Sequence, residues 1–270
     1  MPNLARVATL NWWGGAYGGD PYDFGAPYGI AFDGTHLWVA NQGGWVTEIN
    51  AADGSLVQNL LDPSYGFAYP YAVAFDGTHV WVADQGDTLI EINPADGSLV
   101  QILSDPSYGF NSPTAIAFDG THLWVTNQSN ATVTQINAAD GSLVQILSGA
   151  SYGFGASQDI AFDGTHLWVT NLSWNSVTEI NAADGSLVQV LSDPSYGFNH
   201  LIGVAVDGTH VWVANLGGNS VTQINAADGS FVRTLSSASY GLNGPAYIAF
   251  DGTQMWIANN GGNSITAIPA

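Results

Sequence analysis

Three ionisable side chains occupy positions where related segments of the chain carry other residue types. Asp159 stands where the matching positions hold glycine, alanine or tyrosine, and Asp84 replaces an asparagine that ends five similar segments. His200 lies where other copies have tyrosine, serine or glycine. A carboxyl group that loses water against apolar neighbours has a raised pKa and suits general acid/base work, and histidine titrates near neutral pH. If the protein is an enzyme, we expect Asp159 to be the acid/base, assisted by His200 or Asp84.

Aromatic and amide side chains vary in the same segments. A concave site with apolar walls and a few placed polar groups is the usual form of a small-molecule site. The glycine-rich stretch Asn11 to Gly19 contains paired tryptophans, which would form a lid or a stacking platform, or alternatively a hydrophobic plug. The residues expected to bind a ligand are Tyr28, Trp45, Tyr71, Asp87, Thr114, Gln158, Trp174, Tyr247, Trp12 and Trp13.

An internal repeat sets the elements that must position these residues. The segment Phe32-Asp33-Gly34-Thr35-His36 returns five times, starting at Phe75, Phe118, Phe162, Val206 and Phe250, with a period of 43 or 44 residues. A period in the forties with several short β-rich runs is typical of a four-stranded propeller blade. The sequence therefore predicts an all-β, six-bladed β-propeller that forms one domain over residues 1–270.

One repeat unit illustrates the four predicted strands, and no segment shows helical periodicity. They are Gly29 to Phe32, His36 to Asn41, Trp45 to Asn50 and Leu56 to Leu60, separated by Asp-Gly turns. The last unit stops after its third strand. Because Arg6 to Leu10 resembles a fourth strand, we expect the N-terminal strand to complete the last blade and close the ring.

Copies such as Tyr28-Gly29-Ile30-Ala31-Phe32-Asp33 followed by Leu37-Trp38-Val39-Ala40-Asn41 resemble bacterial propeller repeats of the NHL and YVTN type, within the superfamily that includes virginiamycin B lyases. The resemblance covers almost the whole chain and implies the propeller fold. Such propellers include lyases, lactonases and pure binding modules. The lyases have seven blades and a histidine and glutamate metal site, and no matching pattern occurs here, so their catalytic residues are not carried over.

The repeats differ at one end of the predicted propeller. The turns between the first and second strands, and between the third and fourth, are nearly constant and supply half of the 22 acidic residues, which indicates a scaffold. The loops between the second and third strands vary, as do the connections between blades. We therefore expect an asymmetric ligand at this variable end.

Repeated residues are expected to be structural. Five histidines occupy one equivalent position, with Gln254 in the sixth copy, and a hydrogen-bonding role explains that exchange. These histidines are His36, His79, His122, His166 and His210. Six tryptophans of the second strands are expected to pack between blades: Trp38, Trp81, Trp124, Trp168, Trp212 and Trp256.

Composition excludes several functions. The net charge is −20, with Arg6 and Arg233 as the two basic residues, so nucleic acid and anionic membranes are not expected partners. Without lysine or cysteine the chain has no Schiff-base amine and no thiolate nucleophile. We expect a monomer, cytoplasmic or secreted with its leader removed, and no cofactor. The remaining cofactor alternative is a divalent cation such as calcium or magnesium near Asp84 and Asp87.

Three hypotheses about function follow. The favoured one is a binding propeller for a small neutral or cationic organic molecule, carbohydrate being one such ligand. The second is a lyase, cyclase or hydrolase without a redox cofactor, using Asp159 in an aromatic-lined funnel. The third is a protein-interaction scaffold or an engineered repeat propeller, suggested by the near-identity of the copies.

Overall fold

A computed structural model describes residues 22–236 and 240–270. The chain divides into two compact units, residues 1–103 and residues 104–270. Each unit is built from antiparallel sheets in which strands adjacent in sequence are adjacent in space. Short Asp-Gly turns permit this meander, because the glycine adopts the positive φ that a tight turn needs.

The first unit contains two four-stranded sheets. The first sheet consists of β1 (Pro27–Phe32), β2 (His36–Asn41), β3 (Trp45–Asn50) and β4 (Leu56–Leu60). The second consists of β5 (Pro70–Phe75), β6 (Val80–Asp84), β7 (Thr88–Ile92) and β8 (Leu99–Leu103). These bounds agree with the strands predicted from the repeat, with β1 two residues longer at its start.

The second unit contains three four-stranded sheets and one of three strands. The third sheet is β9 (Pro113–Phe118), β10 (His122–Asn127), β11 (Thr132–Asn137) and β12 (Leu143–Leu147). The fourth is β13 (Ser157–Phe162), β14 (His166–Asn171), β15 (Ser176–Asn181) and β16 (Leu187–Leu191). The fifth is β17 (Leu201–Val206), β18 (His210–Asn215), β19 (Ser220–Asn225) and β20 (Phe231–Leu235). The sixth is β21 (Pro245–Phe250), β22 (Gln254–Asn259) and β23 (Ser264–Pro269).

Six such sheets confirm the predicted fold class, an all-β, six-bladed β-propeller. Each sheet is one blade, numbered here in chain order. The strand expected to complete blade six, Arg6 to Leu10, lies outside the described residues, as do Trp12 and Trp13.

The connections between blades contain an element that the sequence did not predict. Four of them include a single 3-10 turn, at Pro63–Tyr65, Pro106–Tyr108, Ala150–Tyr152 and Pro194–Tyr196. In three cases an aspartate caps the turn, as Asp105 does by accepting a hydrogen bond from Ser107 N, and a left-handed glycine ends it. Three residues are too few to show helical periodicity, so the sequence pattern did not predict these turns.

An aspartate holds the turn between the first two strands of every blade. In blade one, Asp33 Oδ1 accepts hydrogen bonds from the backbone N–H groups of Thr35 and His36, and Oδ2 accepts one from Trp38 Nε1. The aspartate–tryptophan bond is present in all six blades at 2.6–2.8 Å. This bond lets the indole be buried without leaving its N–H unpaired.

The same tryptophans form the core between neighbouring blades. Within the second unit, Trp124 packs with Leu167 and Val169 of the next blade, and Trp168 packs with Val211 and Val213 of the blade after that. Within the first unit, Trp38 packs with residues of β6 and β7. These contacts confirm the packing role predicted for the tryptophans, although Trp256 of blade six remains 42% exposed.

We predict that Ile180→Ala destabilises the protein by about 2–5 kcal/mol, because this fully buried side chain would leave a cavity in the core of blade four. Val188→Ala is the matched control in the adjacent strand β16, where the side chain is 46% exposed, and should change stability by less than about 0.5 kcal/mol. Urea unfolding followed by circular dichroism measures both. Equal losses would show that the assigned core face of blade four is wrong.

Candidate functional site

Asp159 ties the first strands of blades four and five together. Its Oδ2 accepts a hydrogen bond from Val204 N of β17 at 2.9 Å, and its Oδ1 accepts one from Ile160 N at 2.9 Å. Thr170 supports the same junction by donating to Ile202 O at 2.6 Å. At the equivalent place in blade five, a side chain on Gly203 would meet the backbone of blade six at 2.6 Å. Close strand packing thus explains the small residues there, and Asp159 instead uses its carboxylate as a bridge.

The environment of Asp159 changes its acidity. Burial raises the pKa of this carboxyl group from 3.8 to about 6, against the hydrogen bonds from Val204 and Ile160, which lower it. The residue is half-buried by surface area, so water still reaches part of it. A carboxyl group with this pKa changes charge near neutral pH, which is the property expected of it as an acid/base.

Asp84 is fully buried at the end of β6 and organises the loop around it. Its two carboxylate oxygens accept hydrogen bonds from the backbone N–H groups of Ala68, Tyr69 and Gly86 at 2.7–3.1 Å. The asparagines at this position do the same with one oxygen, as Asn215 does for Asn199 N. The side chain that ends each second strand thus satisfies a backbone N–H group of the preceding connection, through asparagine in five blades and through the Asp84 carboxylate in blade two.

His200 lies on the surface in a left-handed conformation, with φ of 60°. Its backbone N–H donates to Asn175 Oδ1 at 2.6 Å, and its carbonyl accepts from Leu216 N. The side chain is exposed and has no role in these bonds. The structure brings the backbone of His200 to the loop between β14 and β15.

Two of the predicted ligand-binding aromatics meet in the first unit. The rings of Tyr28 and Tyr71 lie 4.4 Å apart between centroids, on the neighbouring strands β1 and β5. Asp87 lies in the exposed turn between β6 and β7, with φ of 66°. Trp45 is only 8% exposed, and its ring covers Gly25 and Gly43, so it serves as packing under the loop of blade one.

Three other predicted residues lie in the second unit. Thr114 is buried and donates to Ser157 O at 2.9 Å, which links blades three and four. Gln158 is buried beside Asp159 and donates to Ala156 O. Tyr247 lies on β21 and is partly exposed. These residues and Asp159 share the first strands of their blades, as predicted, and most of their polar atoms already bind backbone.

Trp174 differs from all of these because it is 66% exposed and borders a groove of about 380 Å³. The groove lies between the 3-10 turn Ala150–Tyr152, the end of β16 and the loop between β14 and β15. Trp174 Nε1 donates to Phe154 O at 3.2 Å, which fixes the indole at the rim. The residues that line the groove are Ala150, Gly153, Phe154, Trp174, Ser176, Val190 and Ser192.

Blade four departs from the repeat around this groove. Gly149 and Ala150 replace the Asp-Pro pair that begins the turn before blades two, three and five, so a capping carboxylate and a proline ring are both missing. Gly155 lies under the indole, where a Cβ would stand 2.1 Å from the ring of Trp174. Sequence reasoning found Trp174 but missed these three small residues. Their departure from the repeat is visible in the sequence, but a small residue gives no direct signal of the space that it leaves.

A second depression is lined mainly by residues that are the same in most blades. It has a volume of about 270 Å³ and lies at the constant turns of the first unit. It is lined by Asp33, Thr35, His36, Phe75, Pro94 and Ala95. All of these except Pro94 recur in most other blades. This depression therefore lacks the departures that distinguish the groove beside Trp174.

The repeated histidines belong to a buried polar network. His36 Nδ1 lies 3.3 Å from both Asp33 Oδ2 and Glu48 Oε1, and Glu48 in turn accepts a hydrogen bond from Gln58. Blades two and four repeat the glutamate as Glu91 and Glu179, whereas blades three and five have glutamines, Gln135 and Gln223. This network supports the structural role predicted for the histidines. Within residues 22–236 and 240–270, no group of three His, Asp or Glu side chains is arranged to hold a metal ion.

The β-propeller class established by these sheets is matched by the comparison with known families. Residues 11–147, about half of the chain, match the family described as outer membrane protein assembly factor BamB, and the chain belongs to this family. No curated protein sequence matches the chain. In the part of the chain that the structure describes, no helix is long and apolar enough to cross a membrane.

Solved structures share the fold at low sequence identity. Hydrazine synthase of Kuenenia stuttgartiensis matches with a TM-score of 0.73 and 18% identity, over 90% of this chain and 83% of that one. Virginiamycin B lyase from Staphylococcus aureus matches with a TM-score of 0.67 and 19% identity, over 90% and 84%. The computationally designed Ika8 protein matches with a TM-score of 0.68 and 11% identity, over 90% and 71%. These likenesses concern the fold alone, and NHL or YVTN membership is not among the findings.

We predict that the Asp159 carboxyl group titrates near pH 6 in the folded protein, in a 13C NMR titration of side-chain carboxyls. Asp207 is the control, because hydrogen bonds, including one from Trp212, outweigh its burial and lower its pKa to about 2. Since the folded state binds the Asp159 proton more tightly than the unfolded chain, its contribution to stability grows as pH falls from 7 to 4. The linked free energy is about 1–2 kcal/mol for a half-buried group. A midpoint near 4 would contradict the burial that the fold assigns to Asp159.

We predict that Glu179→Gln raises stability at pH 7 by about 1 kcal/mol. Burial raises the pKa of Glu179, against its hydrogen bond from Gln189 and the nearby His166, so its charge becomes costly as pH rises through that pKa. Blade three shows that glutamine fits, because Gln145 donates to Gln135 at 2.7 Å. The reverse change, Gln135→Glu, is the control and should lower stability at pH 7. Thermal unfolding of both variants measures these changes in stability. A lower stability of Glu179→Gln at pH 7 would contradict the prediction.

Proposed function

We propose that this protein is a ligand-binding β-propeller that holds a small neutral or cationic organic molecule in the groove beside Trp174. The observation that carries this proposal is the exposed indole at the rim of a groove beside the 3-10 turn in which Gly149 and Ala150 stand in place of Asp-Pro. The groove lies where a blade connection meets the loop between the second and third strands. This is the variable end at which the sequence predicted a site.

Several departures from the repeat concern this one place. A tryptophan exposed to water is costly unless a partner covers it, and its N–H is already satisfied by Phe154 O. The loss of aspartate and proline at Gly149 and Ala150 leaves room beside Val190 and Ser192. A volume of about 380 Å³ is within the range of small-molecule sites. Together these features provide a wall, a floor and space for one ligand.

The hypothesis of an enzyme depends on a different residue. Asp159 has the pKa of an acid/base, and this supports a lyase, cyclase or hydrolase as the second candidate. However, Asp159, Asp84 and His200 do not line the groove, and both oxygens of Asp159 accept backbone hydrogen bonds. The enzymatic activities named for the two structural neighbours belong to those proteins, and the shared fold does not transfer them.

A role in protein assembly is the third candidate, suggested by the description of the family. Its structural support is a set of exposed valines, one on the last strand of each four-stranded blade. They are Val57, Val100, Val144, Val188 and Val232. These valines repeat without variation, so they favour the assembly role less than the groove beside Trp174 favours ligand binding.

The test compares two kinds of variant in ligand-observed NMR with a library of neutral and cationic fragments. We predict that Trp174→Ala abolishes fragment binding at the groove. The double change Gly149→Asp and Ala150→Pro should abolish this binding as well. The double change gives blade four the local sequence that precedes blades three and five, where the aspartate adopts φ near −66°. Because Gly149 has φ of 109°, the backbone at this position must shift to the conformation of Asp105 for the new side chains to fill the groove as they do before blade three.

The matched control is Asp193→Gly with Pro194→Ala, which makes the same chemical change in reverse before blade five. This variant should retain the fragments bound by the wild type. Circular dichroism confirms that each variant is folded. If all three variants bind the same fragments as the wild type, or if no fragment binds the wild type, the proposed function is wrong.

A further inference from the structure

We infer that the ligand of the Trp174 groove is a neutral saccharide, which places the apolar face of a sugar ring on the indole and its hydroxyl groups against serine and backbone groups. This inference rests on the proposed function and narrows it from neutral or cationic organic molecules to one chemical class. The chemistry of the groove lining carries it.

The lining contains no ionisable side chain. This is notable in a chain whose net charge is −20, and the absence of an aspartate from the turn before blade four contributes to it. The aspartate that caps the 3-10 turn in three other connections would stand at the position of Gly149. A site for a cationic ligand would keep such a carboxylate, because a cation on an aromatic face gains from a nearby anion.

The nearest acid in sequence is already engaged. Asp193 follows Ser192, but its carboxylate accepts a hydrogen bond from Ser195 N and caps the 3-10 turn before blade five. Those hydrogen bonds from Ser195 lower the pKa of Asp193, so it stays charged and directed to its own turn. The groove itself therefore presents neutral groups to its ligand.

The polar groups that remain are hydroxyls. Ser176 is almost fully buried, accepts a hydrogen bond from Asn171 Nδ2 at 3.3 Å, and keeps its own O–H for donation. Ser192 is exposed at the end of β16. Hydroxyl groups donate and accept equally well, which suits a ligand that carries many hydroxyls of its own.

The apolar part of the groove has the form of a platform. The bond from Trp174 Nε1 to Phe154 O holds the indole by its five-membered ring, above Gly155. The rest of the indole is exposed, with Phe154, Val190 and Ala150 beside it. A pyranose ring has an apolar face of C–H groups and a polar rim, so it can cover the indole and reach the serines together. A flat, wholly apolar ligand would offer no acceptor to the O–H group of Ser176 and no partner to Ser192.

The experiment uses two oligosaccharides of equal length that differ in charge. Hexa-N-acetylchitohexaose is neutral, and the fully deacetylated hexamer of glucosamine is cationic. Maltohexaose and cellohexaose serve as further neutral probes, and choline serves as a small cation. Isothermal titration calorimetry and tryptophan fluorescence measure binding to the full chain at low and high sodium chloride concentration.

We predict that at least one neutral hexasaccharide binds, with an affinity unchanged by salt, because no charge pair forms. Trp174→Ala should weaken this binding by about tenfold or more, and Trp174→Phe should restore part of it, because a smaller ring still offers a face. The double change at Gly149 and Ala150 should abolish it, and the control at Asp193 and Pro194 should leave it intact.

Three outcomes would overturn the inference and are distinguishable from one another. If choline or the glucosamine hexamer binds in a manner that depends on Trp174 and weakens with salt, whereas the neutral sugars do not bind, the groove is a ligand site but not a saccharide site. If fragments bind at the groove and none of the saccharides does, the saccharide inference fails and the proposed function stands. If neither fragment binding nor saccharide binding depends on Trp174, the saccharide inference and the proposed function are both wrong.

Discussion

In every blade, the aspartate at the first turn accepts a hydrogen bond from the indole of the second strand, and the other features of the blade depend on this bond. The aspartate also accepts two backbone N–H groups, so one side chain fixes the turn, the hairpin and the tryptophan together. With its N–H satisfied, the indole can be buried between blades, where it supplies the largest apolar surface of the core. The histidine and the third-strand glutamate or glutamine extend the same network across the sheet. Each blade thus contains a polar hydrogen-bond network and an apolar packing face, and both recur almost unchanged from blade to blade.

Such a uniform scaffold permits residue substitutions in the loops of its variable end with little loss of stability, provided that neighbouring residues make room for each new side chain. Blades one and four show one compensation, since in each a glycine of the connection makes room for a tryptophan of the loop. The outcomes differ because the rings are oriented differently. Trp45 covers its glycines with its six-membered ring and is buried, whereas Trp174 rests on its five-membered ring and projects into water. The same exchange therefore produces packing in one blade and a platform beside a groove in the other.

Carboxyl groups in this protein show how environment decides the role of one residue type. Asp207 is surrounded by donors, which stabilise its charge, and Asp84 accepts three backbone N–H groups and shapes a loop. Asp159 has two such donors, but its own loss of water outweighs them and raises its pKa. It links the first strands of two blades through Val204, so its strongest observed role is structural. The many aspartates of the turns accept N–H groups close by in the chain, and these hydrogen bonds stabilise the charges of a chain with 22 acidic and two basic residues.

The sequence alone determined the architecture, because its signals are local and recur in every blade. These signals are the repeat period, the Asp-Gly turns and the alternation of valine, tryptophan and threonine. It also determined where variation is confined, and it included Trp174 among the candidate residues. Only the tertiary structure decided which candidates face water and which are buried, as Trp45 and Thr114 show, since exposure depends on neighbours from other blades. It also showed that Gly149, Ala150 and Gly155 form one space beside Trp174. Absent side chains leave no chemical signal of their own in a sequence, and the volume they free exists only when the strands around them are assembled.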